Sequence, residues 1–107
     1  HGADVRGEDT LGQILAGGIR AKLAAQARRP REGLALANAS VAMASETDAL
    51  VSHADALVAL AEVLRLAGRR DEARGAAQEA IQLYEEKGNV VSAARATAFV
   101  REATQTV

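Results

Sequence analysis

Alanine dominates the apolar residues of this 107-residue chain. It supplies 26 of the 52 apolar residues, against 11 Leu, 9 Val and 3 Ile. Alanine is the best helix former, and its small side chain lets helix axes approach closely. Proline, which interrupts helices, occurs once, as Pro30. The composition therefore predicts an all-α fold with a shallow core lined by methyl groups.

Helix-breaking and capping residues divide the chain into five predicted helices. Pro30 disfavours helix at the preceding residue and suits a first helical turn. Gly68 and Gly88 stand where the residue after a helix end adopts a left-handed conformation. Asp48 and Asn89 are suited to cap the third and fifth helices. The predicted helices cover about residues 9–28, 31–46, 49–67, 71–87 and 90–104, which leaves residues 1–8 as a flexible N-terminus. Leu66 widens the expected buried stripe of the third helix, and Val90 and Val91 belong to the expected apolar face of the fifth.

The chain aligns with itself at a shift of about 40 residues, a spacing within the range of helical repeats. This shift, the repeat period, takes Leu11 to Val51 and Val51 to Val91, and it takes the loop at residues 29–33 to residues 69–73. Such periods are typical of stacked helix hairpins, in which neighbouring hairpins bury each other's apolar faces. We therefore expect about two and a half repeats in one domain that spans residues 1–107.

Residues 54–83 resemble a tetratricopeptide repeat, a helix hairpin with small and large residues at fixed positions. The matching residues are Leu57, Leu60, Ala61 and Leu64 in the first helix, Gly68 at the turn, and Ala73, Ala77 and Ala80 in the second helix. The chain departs from that pattern at Ala61, where glycine is usual, and at Ala77, where an aromatic residue is usual. The resemblance implies an α-solenoid that binds proteins, with a lengthened period.

Two segments, residues 54–69 and 83–95, resemble the C-terminal repeats of actinobacterial signalling proteins that join an adenylate/guanylate cyclase to an ATPase module. This resemblance implies that the chain is the C-terminal regulatory or docking part of a larger bacterial signalling protein, with the catalytic parts preceding it. No cyclase or ATPase motif occurs within the chain itself. The polar residues 1–10 lack the apolar core of a signal peptide, so we expect a cytoplasmic protein.

Several function classes are disfavoured by composition and spacing. The absence of cysteine excludes a disulfide framework and a thiolate metal site, and the net charge of −1 argues against a nucleic-acid clamp. Ser52, His53 and Asp55 lie on one predicted helix and point in different directions, so they cannot form a catalytic relay. No apolar run is long enough to span a membrane. We predict no enzyme, no cofactor and no metal.

The remaining candidate site is the concave groove that the first helices of tetratricopeptide arrays line, where such arrays hold a peptide or a helix. The matching positions here mix both charges with small residues and lack the dense basic cluster that grips a terminal carboxylate. The candidate partner-binding residues are Lys22, Asp55, Val58, Glu62, Arg65, Arg95 and Glu102. Ala25, Gln26 and Leu66 occupy further matching groove positions.

Two alternatives to a docking module stay open. One is a free-standing small helical protein that self-associates as a homodimer, and the other is a small-molecule sensor, for which an alanine-rich core leaves little room. The N-terminal end of the predicted stack carries no polar cap. We therefore expect either further repeats before residue 1 or self-association of that end.

Overall fold

The structure is a computed structural model that describes the backbone of residues 2–105 and the side chains of residues 10–102. In this part the chain forms five α-helices and no strand, as predicted. They are α1 (Gly2–Gln26), α2 (Pro30–Ser45), α3 (Leu50–Leu66), α4 (Arg70–Lys87) and α5 (Val90–Gln105). Helix α1 begins earlier than the expected residue 9, and the predicted flexibility of residues 1–8 stays a prediction.

Three helices end in the same backbone motif. Gly68 and Gly88 have φ of 80° and 76°, which confirms the left-handed conformation predicted for both. The following amide closes the helix end, because Arg69 N donates to Leu64 O at 2.9 Å. Helix α1 ends in the same way without a glycine, since Arg28 has φ of 63° and the next amide donates to Ala24 O at 2.9 Å. The sequence around Arg28 carries no signal that predicts this conformation.

The helix N-termini confirm the predicted place of Pro30 and one predicted cap, and they correct another cap. Pro30 occupies the first position of α2, and the Asn89 side chain accepts a hydrogen bond from Ser92 N at 3.2 Å. The prediction that Asp48 caps α3 is wrong, because no side chain caps that helix. Instead the Thr47 hydroxyl accepts a hydrogen bond from Ala49 N at 3.2 Å, just before the first turn of α3.

Helix α3 lies at the centre of the fold and packs against α1, α2 and α4. Alanine supplies 15 of the 20 buried apolar side chains in the part that the structure describes. The largest fully buried side chain there is Val63, between α1 and α2. Small side chains bring the helices close together, and the molecule is only 17 Å thick along its shortest axis.

Two apolar faces differ from their predicted orientation. Helix α5 packs on α4 through Ala93 and Ala96, so Val90 and Val91 face outward and are 75% and 67% exposed. The sequence predicted both valines as part of the apolar face of the terminal helix. Leu66, predicted to widen the buried stripe of α3, is half exposed because it lies in the last turn of that helix.

Glycine brings α1 and α2 together. A Cβ atom at Gly33 would lie 2.9 Å from Ala21 O and 3.3 Å from Ala25 N, so the backbones of the two helices approach too closely for any side chain there. The other two contacts are with side chains: a Cβ atom at Gly17 would clash with the Ser40 hydroxyl of α2, and one at Gly18 would lie 3.3 Å from the Ala59 Cβ of α3. Gly17 and Gly18 are therefore packing residues that let α1 lie close to α2 and α3.

Candidate functional site

Helices α1, α3 and α5 line one open groove of about 1030 Å³. Short connections through α2 and α4 make these three helices run in the same direction. The residues predicted as a partner-binding set all line this groove: Lys22, Asp55, Val58, Glu62, Arg65, Arg95 and Glu102. The structure therefore brings together side chains from three helices that lie far apart in sequence.

The groove lining follows the repeat period of the sequence. Five positions of α1 recur in α3 and again in α5, each time one period later and each time lining the groove. The five sets are Gly12, Ser52 and Ser92; Leu15, Asp55 and Arg95; Gly18, Val58 and Ala98; Ile19, Ala59 and Phe99; and Lys22, Glu62 and Glu102. The three helices thus present equivalent positions to one surface.

Three other residues that the sequence placed at groove positions do not line the groove. Ala25 is buried between α1 and α2, in the same cluster as Ala37 and Val63. Gln26 and Leu66, expected beside it, are exposed outside the groove. The side chains of these residues point to other sides of α1 and α3, where they pack against α2 or face solvent.

Two contacts join the helices that form the walls of the groove, α1 and α5, to α3, which forms its floor. Lys22 Nζ of α1 lies 3.5 Å from Glu62 Oε2 of α3, and both side chains are more than a third exposed. The Arg65 guanidinium of α3 lies over the Phe99 ring of α5, 5.3 Å from its centroid. A cation over an aromatic face is attracted by the ring quadrupole. Phe99 was not among the predicted groove residues, although it stands one repeat period after Ala59.

A buried tyrosine fixes the acidic residue of the groove floor. Tyr84 of α4 is 3% exposed, and its hydroxyl donates a short hydrogen bond to Asp55 Oδ1. Burial raises the pKa of Tyr84 well above its ordinary value, and the bond to Asp55 raises it further, whereas Arg95 acts in the opposite direction. Asp55 itself remains exposed on its groove side. Its carboxylate is thus held in place while it faces solvent.

The groove combines balanced charge with exposed apolar side chains. The groove lining carries no net charge, because its three basic residues are balanced by three acidic ones. These residues are Lys22, Arg65 and Arg95, and Asp55, Glu62 and Glu102. On the α1 side, Leu15 and Ile19 are 65% and 48% exposed. Apolar area beside fixed charges suits a polypeptide segment with an apolar face and a polar edge.

The described residues form an all-helical protein with an open groove between α1, α3 and α5. Among the described residues, no three His, Asp or Glu side chains lie close enough to hold a metal ion. None of the described helices is both long and apolar enough to cross a membrane. No protein-family description, curated protein or solved structure matches this chain.

Proposed function

We propose that this chain is a tetratricopeptide-like helical repeat domain that docks a protein or peptide partner in the groove of α1, α3 and α5. The observation that carries the proposal is the recurrence of five groove positions at the repeat period of the sequence. A repeat array generates such a surface because each repeat contributes the same helix to the same side. An unrelated bundle of five helices has no reason to keep this register.

The helix boundaries support the repeat arrangement independently. α1 and α3 end at residues 26 and 66, α2 and α4 begin at residues 30 and 70, and α3 and α5 begin at residues 50 and 90. The loops agree as well, since Arg29 pairs with Glu32 at 3.5 Å and Arg69 pairs with Glu72 at 2.7 Å. These pairs are exposed and contribute little stability, so their value here is as markers of equivalent geometry.

The groove favours an amphipathic segment as its occupant. Apolar area is available in the groove on three different helices, at Leu15, Val58 and Phe99. Asp55 and Arg95 flank that area and can pair with charges of either sign on the partner's polar edge. Charge pairs of this kind fix the register and orientation of a bound segment more than its affinity.

The context we propose is a larger bacterial signalling protein, in which this domain is the C-terminal docking or regulatory part. The support is the resemblance of residues 54–69 and 83–95 to the repeats of actinobacterial cyclase–ATPase proteins. In that setting the partner is another protein or another domain of the signalling machinery, and the domain is cytoplasmic. In this proposal the groove attaches the partner and takes no part in catalysis.

The test is a selection of peptides from a random library on the full chain, followed by calorimetric measurement of Kd. Glu62→Arg and Arg65→Glu reverse the charge of two groove side chains and should weaken binding more than about tenfold. Glu79→Arg and Arg101→Glu make the same changes on exposed surface outside the groove and should leave Kd unchanged. Circular dichroism checks that all four variants keep their helicity. Equal Kd values for groove and control variants would refute the groove as the binding site.

A further inference from the structure

Helix α1 carries an apolar stripe that no other part of the described structure covers. Leu11, Leu15, Ile19 and Leu23 follow one another at intervals of four residues and are 42%, 65%, 48% and 59% exposed. Residues at this spacing form one continuous ridge on a helix. At the opposite end of the molecule, α5 exposes Arg101 together with the adjacent Val90 and Val91, which do not form a ridge along the helix. Within the described residues, only the α1 end therefore presents a continuous ridge of large apolar side chains to solvent.

The stripe has two properties that suit it to bind its own copy. It is symmetric about its centre, because an antiparallel copy of α1 places Leu11 opposite Leu23 of the copy and Leu15 opposite Ile19 of the copy. It also contains no charged residue. A surface that meets itself across a two-fold axis must not repel itself, and a neutral, symmetric ridge satisfies that condition.

The two charged residues beside the described part of the stripe, Arg20 and Lys22, do not oppose this pairing. Lys22 lies at its edge and is already paired with Glu62 of the same chain. Arg20 lies at the other edge, and in the antiparallel register its two copies stand about 9 Å apart along the helix axes, at about 1.5 Å per residue. Salt at physiological strength screens exposed charges over about 8 Å, so their repulsion is weak.

We propose that two copies of this chain associate through antiparallel packing of α1 against α1. This inference goes beyond the proposed docking function and does not depend on it. The stripe begins at the rim of the groove, which Leu11, Leu15 and Ile19 line, and ends outside it at Leu23. Pairing of α1 helices places the first helices of the two copies side by side, so that the grooved surface of one copy continues into that of the other.

The first test is the mass of the full chain by sedimentation equilibrium from about 10 μM to about 1 mM. Self-association raises the average mass from 11.1 kDa towards twice that value with increasing concentration. Leu23→Glu places a charge in the stripe outside the groove and should weaken association more than about tenfold. Val91→Glu, at a valine that is 67% exposed on α5, is the matched control and should leave association unchanged.

The second test fixes the orientation of the two helices. The chain has no cysteine, so Leu11→Cys and Leu23→Cys each introduce a single thiol. A short bismaleimide should cross-link a mixture of the two variants, and should leave Leu11→Cys alone uncoupled, because its two thiols lie about 18 Å apart along the axes. Preferential coupling of Leu11→Cys to itself would overturn the antiparallel register.

Two further outcomes overturn the proposal as a whole. One is a mass of 11.1 kDa at every concentration. The other is association that Val91→Glu abolishes and Leu23→Glu does not. Because Leu23 lies outside the groove, Leu23→Glu should still bind a selected peptide, with a Kd no weaker than that of the unmodified chain. Failure of self-association and failure of groove binding are therefore observed separately.

Discussion

Replacing Arg28 by glycine should stabilise the fold, although the substitution only removes a side chain. Arg28 occupies the left-handed region at φ of 63°, where the Cβ of an L-residue crowds the following carbonyl. Its exposed side chain compensates with no hydrogen bond or ion pair in the part of the chain that the structure describes. The equivalent position one repeat period later is Gly68, which adopts the same conformation at φ of 80° without that penalty.

The expected magnitude follows from opposing effects. Relief of the left-handed conformation contributes about 1–2 kcal/mol. The greater backbone freedom of glycine in the unfolded chain costs roughly 0.5–1 kcal/mol, and loss of a positive charge near a helix C-terminus costs about 0.3 kcal/mol. We therefore expect Arg28→Gly to raise the free energy of unfolding by about 0.5 kcal/mol, a shift in Tm of about 2–4 °C for a domain of this size.

Urea denaturation followed by circular dichroism measures this change, with two variants as controls. Arg28→Lys keeps both the charge and the Cβ, so its midpoint should stay at the wild-type value. Gly68→Ala adds a Cβ at a site with no atom within 4 Å, so any loss, about 1 kcal/mol, reflects backbone conformation alone. The reasoning would be refuted if Arg28→Gly and Gly68→Ala shifted the midpoint in the same direction.

Three other substitutions probe packing, titration and surface charge. Gly33→Ala should cost about 1–3 kcal/mol in urea denaturation, because its Cβ meets Ala21 O at 2.9 Å, whereas Gly75→Ala, with open space around it, should be neutral or stabilising. Because burial raises the pKa of Tyr84, the folded state keeps a proton that the unfolded state loses above about pH 10. The free energy of unfolding should therefore fall above about pH 10 by up to about 1.4 kcal/mol per pH unit, and Tyr84→Phe should abolish this slope. Lys22→Met should change stability by less than about 1 kcal/mol, and a larger loss would contradict the assignment of its ion pair as an exposed one.

The five helices were predictable because their ends carry residues with strong local preferences. Pro30, Gly68, Gly88 and Asn89 each act through backbone conformation or a cap, and such effects depend little on the rest of the fold. Arg28 shows the limit of this reasoning. The chain reverses direction there because α2 must pack on α1, and tertiary packing imposes a left-handed conformation on a residue that does not prefer it.

The groove residues were predictable to the extent that sequence periodicity decides helix orientation. A shift by one repeat period preserves side-chain direction in α1, α3 and α5, so residues expected on one face do lie on one groove. The bond between Tyr84 and Asp55 was not predictable, because it joins α3 to α4 and depends on the distance between two helices. The orientation predicted for Val90 and Val91 of α5 was wrong for a similar reason. Both the alanine and the valine positions of its first turns are apolar, and the sequence alone does not decide which of them pack on α4.

The most direct test of the docking account is a methyl NMR titration of the full chain with a selected peptide. The chain has 26 alanine methyl groups, and they report on every helix. The account predicts shifts at Ala59 and Ala98, which line the groove, and none at Ala35 and Ala42, which are exposed on α2. Shifts confined to the methyl groups of α2 and α4 would contradict the assignment of the groove as the site of binding.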